Sequence, residues 1–320
     1  MPKVLVSDKL SPLALKVFER YPTVQADVKT GLPEDELVKI IGEYEGLVIR
    51  SATKVTPKVL ASAKKLKIIA RAGSGVDNVD FAAASANGVY VTNTPGGNTV
   101  STGEHAIALM MALTRNIPQG TATLKAGQWE KNKLQGREVF GKTLGVIGLG
   151  NVGKIVADRA LGLKMKVVAF DKIVTADQGR KLGVEMTTLD DLLSRSDYIT
   201  IHLNKNAETA NFLGKAQFSK MKKGVFLINE SRGGIVDEEA LYEALTTGVV
   251  AGAALDVFAT EPPGEHKLLK LANVIATPHL GASTQEAQDN VAVAAAEQVA
   301  DYLVKGDLRN ALNAKDVKPR

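Results

Sequence analysis

The chain has 320 residues, no cysteine and a formal net charge of +5, from 40 basic and 35 acidic residues. The length suggests two domains, each able to bury its own core. The lack of cysteine excludes a disulfide framework, a thiolate nucleophile and cysteine-ligated metals. The scattered lysines form no nucleic-acid footprint, although a mildly basic chain suits a small acidic substrate. Without a signal-peptide pattern or a membrane-length apolar run, we expect a cytoplasmic protein that binds no membrane, nucleic acid or metal.

In the first third of the chain, short apolar runs alternate with helix-like segments. The runs cover residues 4–6, 24–28, 47–49, 68–70 and 89–91, and Pro12, Pro33 and Pro57 mark helix starts between them. This alternation predicts a parallel sheet covered on both faces.

A turn at Pro95-Gly96-Gly97 interrupts the pattern. Ser101 and Glu104 follow with the spacing of a capping box and predict the start of a long helix there.

The alternation then resumes with six predicted strands, the number typical of a doubly wound dinucleotide fold. They cover residues 143–147, 166–170, 198–202, 225–229, 251–255 and 274–277. A second capping-box pattern, Ser283 and Glu286, predicts a final helix. Because this helix lies outside the six-strand unit, we expect it to pack on the first domain.

Gly148, Gly150 and Gly153 follow the first of these strands as G-x-G-x-x-G and open an amphipathic helix. The first glycine permits a tight turn, the second lets the backbone approach a pyrophosphate, and the third allows helix–strand packing. Asp171 ends the next strand, where an acidic residue binds the ribose hydroxyls and repels a 2′-phosphate. The pattern therefore predicts NAD rather than NADP.

A competing motif, "GREVFGKT", runs from Gly136 to Thr143 and matches the phosphate-binding loop of nucleotide hydrolases. That loop needs a helix directly after it. Here Lys142 and Thr143 lead into a predicted strand, so we interpret the match as coincidence.

Three polar side chains follow the ends of the later predicted strands, where doubly wound folds bind their ligands. They are Arg232, Glu261 and His279. A histidine can take the proton of a hydroxyl group, and a neighbouring carboxylate would stabilise the imidazolium. An arginine can orient a substrate carboxylate through two hydrogen bonds. The set predicts hydride transfer from a secondary alcohol that carries a carboxylate.

On these motifs the chain resembles the D-isomer-specific 2-hydroxyacid dehydrogenases over nearly its whole length. The matching segments are "RAGSGVDNVD", "NTPGGN", "GKTLGVIGLGNVG", "SRGGIVDE", "AGAALDVFATEP" and "TPHLGAS". "VIRSATKVT" and "PHLGASTQEAQ" are most similar to the phosphoglycerate branch. The resemblance implies an α/β fold in which a Rossmann NAD domain, residues 98–284, is inserted into a flavodoxin-like substrate domain, residues 1–97 and 285–320. It also implies a homodimer formed through the NAD domains.

The resemblance carries roles onto matching positions of this sequence. It implies Arg232, Glu261 and His279 as the catalytic residues. The expected cofactor-binding residues are Gly148, Gly150, Asn151, Val152, Gly153, Asp171, His202, Ser231 and Asp256, the last near the nicotinamide carboxamide. The expected substrate-binding residues also include Ser74, Gly75 and Asn98. Arg50 and Arg71 are added from their positions at predicted strand ends, where they would face a substrate phosphate.

The resemblance implies NAD-dependent oxidation of 3-phospho-D-glycerate to 3-phosphohydroxypyruvate, the first step of serine biosynthesis. A hydroxypyruvate, glyoxylate or other D-2-hydroxyacid reductase is the alternative within the family, and a non-catalytic NAD sensor is the alternative outside it. Two departures stand out. "HLNKN" from His202 replaces the His-x-Pro-Leu of many relatives, and a chain ending at residue 320 leads us to expect no regulatory serine-binding domain.

Overall fold

The computed structural model describes residues 1–317, which divide into two compact units. Unit 1 contains Met1–Thr99 and the chain from Ala282 onward, and unit 2 is Val100–Gly281. The sequence prediction places the two boundaries after residues 97 and 284.

Strands and helices alternate along the chain in both units. The first segment of unit 1 contains β1 (Lys3–Val6), α1 (Leu13–Glu19), β2 (Gln25–Val28), α2 (Glu34–Ile40), β3 (Gly46–Ile49), α3 (Pro57–Ser62), β4 (Ile68–Arg71), α4 (Phe81–Ala86) and β5 (Tyr90–Asn93). The next elements are α5 (Thr99–Thr114), α6 (Ile117–Lys125), β6 (Thr143–Ile147), α7 (Asn151–Gly162), β7 (Lys166–Phe170), α8 (Ala176–Lys181), β8 (Glu185–Met186), α9 (Leu189–Arg195), β9 (Tyr198–Ile201), α10 (Lys215–Phe218), β10 (Val225–Asn229), α11 (Glu238–Thr246), β11 (Val250–Leu255) and β12 (Val274–Ala276). Helix α12 (Gln285–Lys305) returns the chain to unit 1.

Each unit has one parallel sheet. The strand order in unit 1 is β2-β1-β3-β4-β5, the flavodoxin-like order. In unit 2 it is β12-β11-β10-β9-β6-β7-β8, which is the doubly wound dinucleotide order with one further strand. The predicted fold class is confirmed. The sheet of unit 2 has seven strands, whereas the sequence predicted six. The strand that was missed is β8, which has only two residues and therefore gives no apolar run in the sequence.

Helix α12 packs on the sheet of unit 1 with a face of small apolar residues. Val291, Ala295 and Val299 are fully or almost fully buried there beside side chains of β1, β3 and β4. A Cβ on Gly46 of β3 would lie 2.6 Å from Val299 Cγ1, so the close contact requires glycine at that position. The burial of each valine side chain stabilises the folded state by about 1.5–3 kcal/mol.

Both predicted capping boxes are wrong. Helix α5 already begins at Thr99, and the Ser101 hydroxyl instead donates to the Gly281 carbonyl at 2.8 Å. The cap of α12 is Thr284, whose Oγ1 accepts from the Ala287 amide at 3.2 Å. Capping residues lie side by side at both sites, and their order does not say which one takes the extended conformation of a cap.

Among residues 1–317, no helix combines the length and the apolar character needed to cross a membrane. No group of three or more histidine or acidic side chains in this range is arranged to hold a metal ion.

Candidate active site

The glycine motif forms a tight turn between β6 and α7. Gly148 has φ +91°, and a Cβ there would lie 2.6 Å from the His202 carbonyl oxygen. A Cβ on Gly153 would lie 2.1 Å from the Gly148 carbonyl oxygen, so this contact also requires glycine. A Cβ on Gly150 would meet no atom within 4 Å, which leaves room for a ligand before the amides of Asn151 and Val152 at the start of α7. The turn therefore fits a pyrophosphate at a helix N-terminus.

Asp171 lies beside this turn, at the end of β7. Its Oδ2 accepts from the Leu149 amide at 2.7 Å, and its Oδ1 accepts from the Ile173 and Val174 amides at 2.8 and 3.1 Å. Partial burial opposes ionisation, but these three amides and Lys154 hold the pKa of Asp171 below its usual value. Asp171 is therefore an anion fixed against the glycine turn, and its predicted role in selecting NAD stays a prediction.

The competing phosphate-loop motif does not have the structure it needs. Lys142 is followed directly by β6, and no helix begins after Thr143. The amide cradle of a nucleotide hydrolase is therefore missing from this segment.

The side chains of His279 and Glu261 lie within ion-pair distance of each other in unit 2. His279 Nδ1 lies 2.8 Å from Glu261 Oε2, and the other carboxylate oxygen of Glu261 accepts from the Phe258 amide at 3.1 Å. With Nδ1 bonded to the carboxylate, Nε2 is the nitrogen that can exchange a proton with a ligand. The two side chains are 47% and 37% exposed, and both line an open cavity of about 510 Å³.

The backbone at His279 is strained. Its φ is +55°, a region that residues other than glycine seldom adopt and that is common at functional sites. Its amide donates to the Asp256 carbonyl at 2.9 Å, which fixes the residue in this conformation.

Asp256 organises the whole segment around His279. Its Oδ1 accepts from Thr277 Oγ1 at 2.5 Å and from the Leu280 amide at 2.7 Å, and its Oδ2 accepts from the Gly281 amide at 2.8 Å. His105 Nε2 lies 3.4 Å from Oδ1. Burial favours the neutral acid, but these hydrogen bonds outweigh it and lower the pKa of Asp256. Its predicted contact with the nicotinamide stays a prediction.

Arg232 lies in the turn after β10, close to the segment that carries Glu261. Its Nη1 donates to the Ser231 carbonyl at 2.7 Å. A Cβ on the next residue, Gly233, would lie 1.7 Å from the Phe258 carbonyl oxygen. Only glycine allows this contact, so the turn of Arg232 and the segment leading to Glu261 are packed directly together.

Two predicted cofactor-binding residues have partners within the protein. The Ser231 hydroxyl and amide both donate to Asn229 Oδ1, at 2.9 and 3.2 Å. The His202 ring is buried, with Nε2 2.9 Å from Thr200 Oγ1, and complete burial lowers its pKa to about 3. The ring is therefore neutral, whereas the His202 backbone borders the glycine turn.

The predicted substrate-binding residues lie at the carboxyl ends of β3, β4 and β5 in unit 1. Ser74 Oγ donates to Asn98 Oδ1 at 2.7 Å, next to Gly75. A Cβ on Gly73 would lie 1.8 Å from Arg71 Nη1, so the guanidinium packs over this glycine.

Arg50 is attached to the same edge of the sheet. Its carbonyl accepts from Asn78 Nδ2 at 2.8 Å, and its amide donates to Asp8 Oδ2 at 2.5 Å. Burial lowers the pKa of Arg50, and Asp8 offsets part of this effect.

Around Asp256 in unit 2 lie three residues that the sequence analysis did not predict as part of the site: His105, Thr277 and Glu230. His105 and Thr277 meet at 3.2 Å and support Asp256. Glu230 is 4% exposed, and neither of its carboxyl oxygens has a hydrogen-bond partner within residues 1–317. Its place directly after β10 was the only available signal.

Comparison with known proteins agrees with this geometry. Residues 107–281 match the family model described as "D-isomer specific 2-hydroxyacid dehydrogenase, NAD binding domain". A protein of Archaeoglobus fulgidus named D-3-phosphoglycerate dehydrogenase is 49% identical over 99% of this chain and 60% of its own length. The chain therefore spans less than two thirds of that relative, and 57% of a Synechocystis protein of the same name, which is 48% identical over 100% of this chain.

A solved structure of a Thermus thermophilus protein has the same fold. It has a TM-score of 0.88 and 35% identity, with 97% of this chain and 99% of that one covered. The sequence prediction of the family is confirmed, as is that of an NAD-binding domain, and the chain belongs to the D-isomer-specific 2-hydroxyacid dehydrogenases.

Proposed function

We propose that the chain catalyses the NAD-dependent oxidation of 3-phospho-D-glycerate to 3-phosphohydroxypyruvate, as the first step of serine biosynthesis. The observation that carries the proposal is the 2.8 Å contact between His279 and an anchored Glu261. The choice of substrate is supported by relatives named D-3-phosphoglycerate dehydrogenase, which are 44–49% identical over nearly the whole chain.

His279 acts as the base in this proposal. Glu261 holds Nδ1, and Nε2 takes the proton of the substrate hydroxyl as the carbonyl group forms. Glu261 stabilises the imidazolium that results. Arg232 holds the substrate carboxylate and so orients the reacting carbon. NAD, when bound, accepts the hydride from that carbon.

For unit 1 we propose two substrate contacts. The Ser74 and Gly75 amides, next to Asn98, bind the substrate carboxylate, and Arg50 and Arg71 bind its phosphate. The position of both arginines at the carboxyl ends of neighbouring strands supports this assignment, because β3 and β4 pair with Ile49 opposite Arg71.

The test is a substrate panel followed by the absorbance of NADH. Purified protein is assayed with NAD and 3-phospho-D-glycerate at alkaline pH. The reverse reaction is assayed with 3-phosphohydroxypyruvate, hydroxypyruvate and glyoxylate. We expect a strong preference for the phosphorylated pair, which Arg50→Met weakens mainly through KM. His279→Asn should remove most turnover, whereas Glu265→Gln, on an exposed side chain of the same loop region, should leave it unchanged.

Other results would replace the proposal. Equal turnover with and without the phosphate would make the chain a hydroxypyruvate or glyoxylate reductase and would remove the phosphate-binding role proposed for Arg50. Tight NAD binding without turnover of any of these acids would favour an NAD sensor.

We also propose a homodimer formed through unit 2. Four large apolar side chains in residues 117–140 support this: Ile117, Leu124, Trp129 and Phe140 are 53–79% exposed. Sedimentation equilibrium should give twice the chain mass, and Trp129→Glu should shift it toward the monomer. A monomeric wild-type protein would contradict this proposal.

A further inference from the structure

Glu230 is a buried carboxyl group to which the proposed reaction assigns no role. It follows β10 directly, as Asp256 follows β11, and these strands pair with Asn229 opposite Leu255. The register therefore places Glu230 next to Asp256 at the carboxyl edge of the sheet. Both carboxyl groups approach Gly281: a Cβ there would lie 3.4 Å from Asp256 Oδ2 and 3.8 Å from Glu230 Oε2.

The neighbouring charge that acts on the ionisation of Glu230 is negative. From β11 it faces Asp256, which the amides and hydroxyl around it keep ionised. From β9 it faces His202, whose Nδ1 is 4.0 Å from Oε1 and whose ring is neutral. From α5, His105 contacts Asp256 rather than Glu230. On its own loop, Arg232 donates to the Ser231 carbonyl.

These surroundings favour the protonated acid. Burial, together with the neighbouring Asp256 carboxylate, raises the pKa of Glu230 to about 9. At neutral pH the side chain is therefore uncharged.

The nicotinamide half of a dinucleotide reaches the same edge. In a doubly wound sheet the dinucleotide lies across the point where the strand order reverses, here between β6 and β9. Asp171 and the glycine turn belong to the half of the sheet formed by β6 and β7. The nucleotide that carries the nicotinamide is therefore expected at the other half, formed by β9, β10 and β11. The oxidised nicotinamide ring carries one positive charge, and the reduced ring carries none.

We propose that Glu230 is a proton-linked sensor of the cofactor's redox state: it gives up its proton when oxidised NAD binds and keeps it when NADH binds. A positive ring near Glu230 and Asp256 favours the carboxylate, and by linkage the carboxylate favours the positive ring. Glu230 thus makes the preference for oxidised NAD rise with pH. The inference rests on NAD binding alone and holds whichever 2-hydroxy acid is the substrate.

The direct test measures binding rather than turnover. Titration calorimetry of NAD and of NADH at about pH 8, in two buffers of different ionisation enthalpy, counts the protons released. We expect wild-type protein to release up to about one proton more with NAD than with NADH. The ratio of the affinity for NAD to the affinity for NADH should rise by up to about tenfold per pH unit as pH approaches 9.

Glu230→Gln keeps the size and the neutral state of the side chain but cannot ionise. We expect it to bind both cofactors and to lose the extra proton release and the pH dependence above about pH 7.5. Glu265→Gln, on an exposed side chain, is the matched control and should behave as wild type. Proton release in Glu230→Gln equal to that of the wild type would overturn the proposal.

A second measurement uses the unaltered chain and does not depend on the variant folding. Infrared difference spectra should show the carbonyl band of a protonated carboxylic acid disappear when NAD is added and persist when NADH is added. A band that persists with both cofactors, or that is absent from the free protein, would also overturn the proposal. Loss of activity on 3-phospho-D-glycerate alone would contradict the proposed function and leave this inference standing.

Discussion

Glu261→Gln tests the pairing on which the proposed mechanism depends. The substitution keeps an oxygen that can accept from the Phe258 amide but removes the negative charge next to His279. Unit charges about 4 Å apart interact by about 1 kcal/mol in water and about 4 kcal/mol at the effective dielectric of a protein surface. The pair is roughly half exposed, so we take about 2 kcal/mol for the imidazolium formed in the reaction. This predicts a loss of about 30-fold in kcat.

The assay is steady-state oxidation of 3-phospho-D-glycerate, with NADH affinity measured separately by fluorescence. We expect the NADH dissociation constant to change by less than about twofold, because Glu261 acts on the proton and not on the cofactor. Glu265→Gln controls for a general loss of negative charge in this loop region. A Glu261→Gln enzyme with kcat within about threefold of the wild type would refute the reasoning.

Four further outcomes follow from the structure. Arg232→Ala should remove most turnover of the 2-hydroxy acid while NADH still binds in a fluorescence titration. Asp171→Asn should reduce the preference for NAD over NADP at least about tenfold in kcat/KM, because the anion that repels a 2′-phosphate is lost. Asp256→Asn should lower the free energy of unfolding, measured in urea at pH 7, by about 2–4 kcal/mol. Because folding lowers the pKa of the Asp256 carboxyl, its contribution to stability is present above about pH 4 and is lost as pH falls further. The stability deficit of the variant should therefore shrink in acid. Gly233→Ala should lower both Tm and kcat, because its methyl group would lie 1.7 Å from the Phe258 carbonyl oxygen.

Strand positions were predictable because buried parallel strands are short, nearly continuous apolar runs. The bounds predicted for β6, β7 and β10 are those observed. Strand β8 was not predictable, since two residues at the sheet edge carry no pattern. The capping boxes failed because Ser101 and Ser283 have the right chemistry at the wrong position, and only the backbone conformation identifies the residue that caps.

The site was predictable where function needs a characteristic side chain at a strand end. His279, Glu261 and Asp171 were predicted in this way. The structure pairs His279 with Glu261 and places Asp171 at the glycine turn, and their roles stay predictions. The neutral state of Glu230 was not, because a glutamate after a strand is usually solvated, and its burial depends on how Gly281 and Asp256 pack against it. Likewise, the supporting role of Asp256 toward His279 depends on hydrogen bonds to residues more than 20 positions away in sequence.

We propose that the hydride at C2 of 3-phospho-D-glycerate passes to NAD while His279 takes the proton of the C2 hydroxyl. The measurement that tests it most directly uses substrate deuterated at C2, with the NADH analysed by mass spectrometry. We predict that one deuterium atom is recovered in the NADH, with turnover that requires His279 and exceeds that on the unphosphorylated acid. NADH without deuterium, or equal turnover by His279→Asn, would contradict the account.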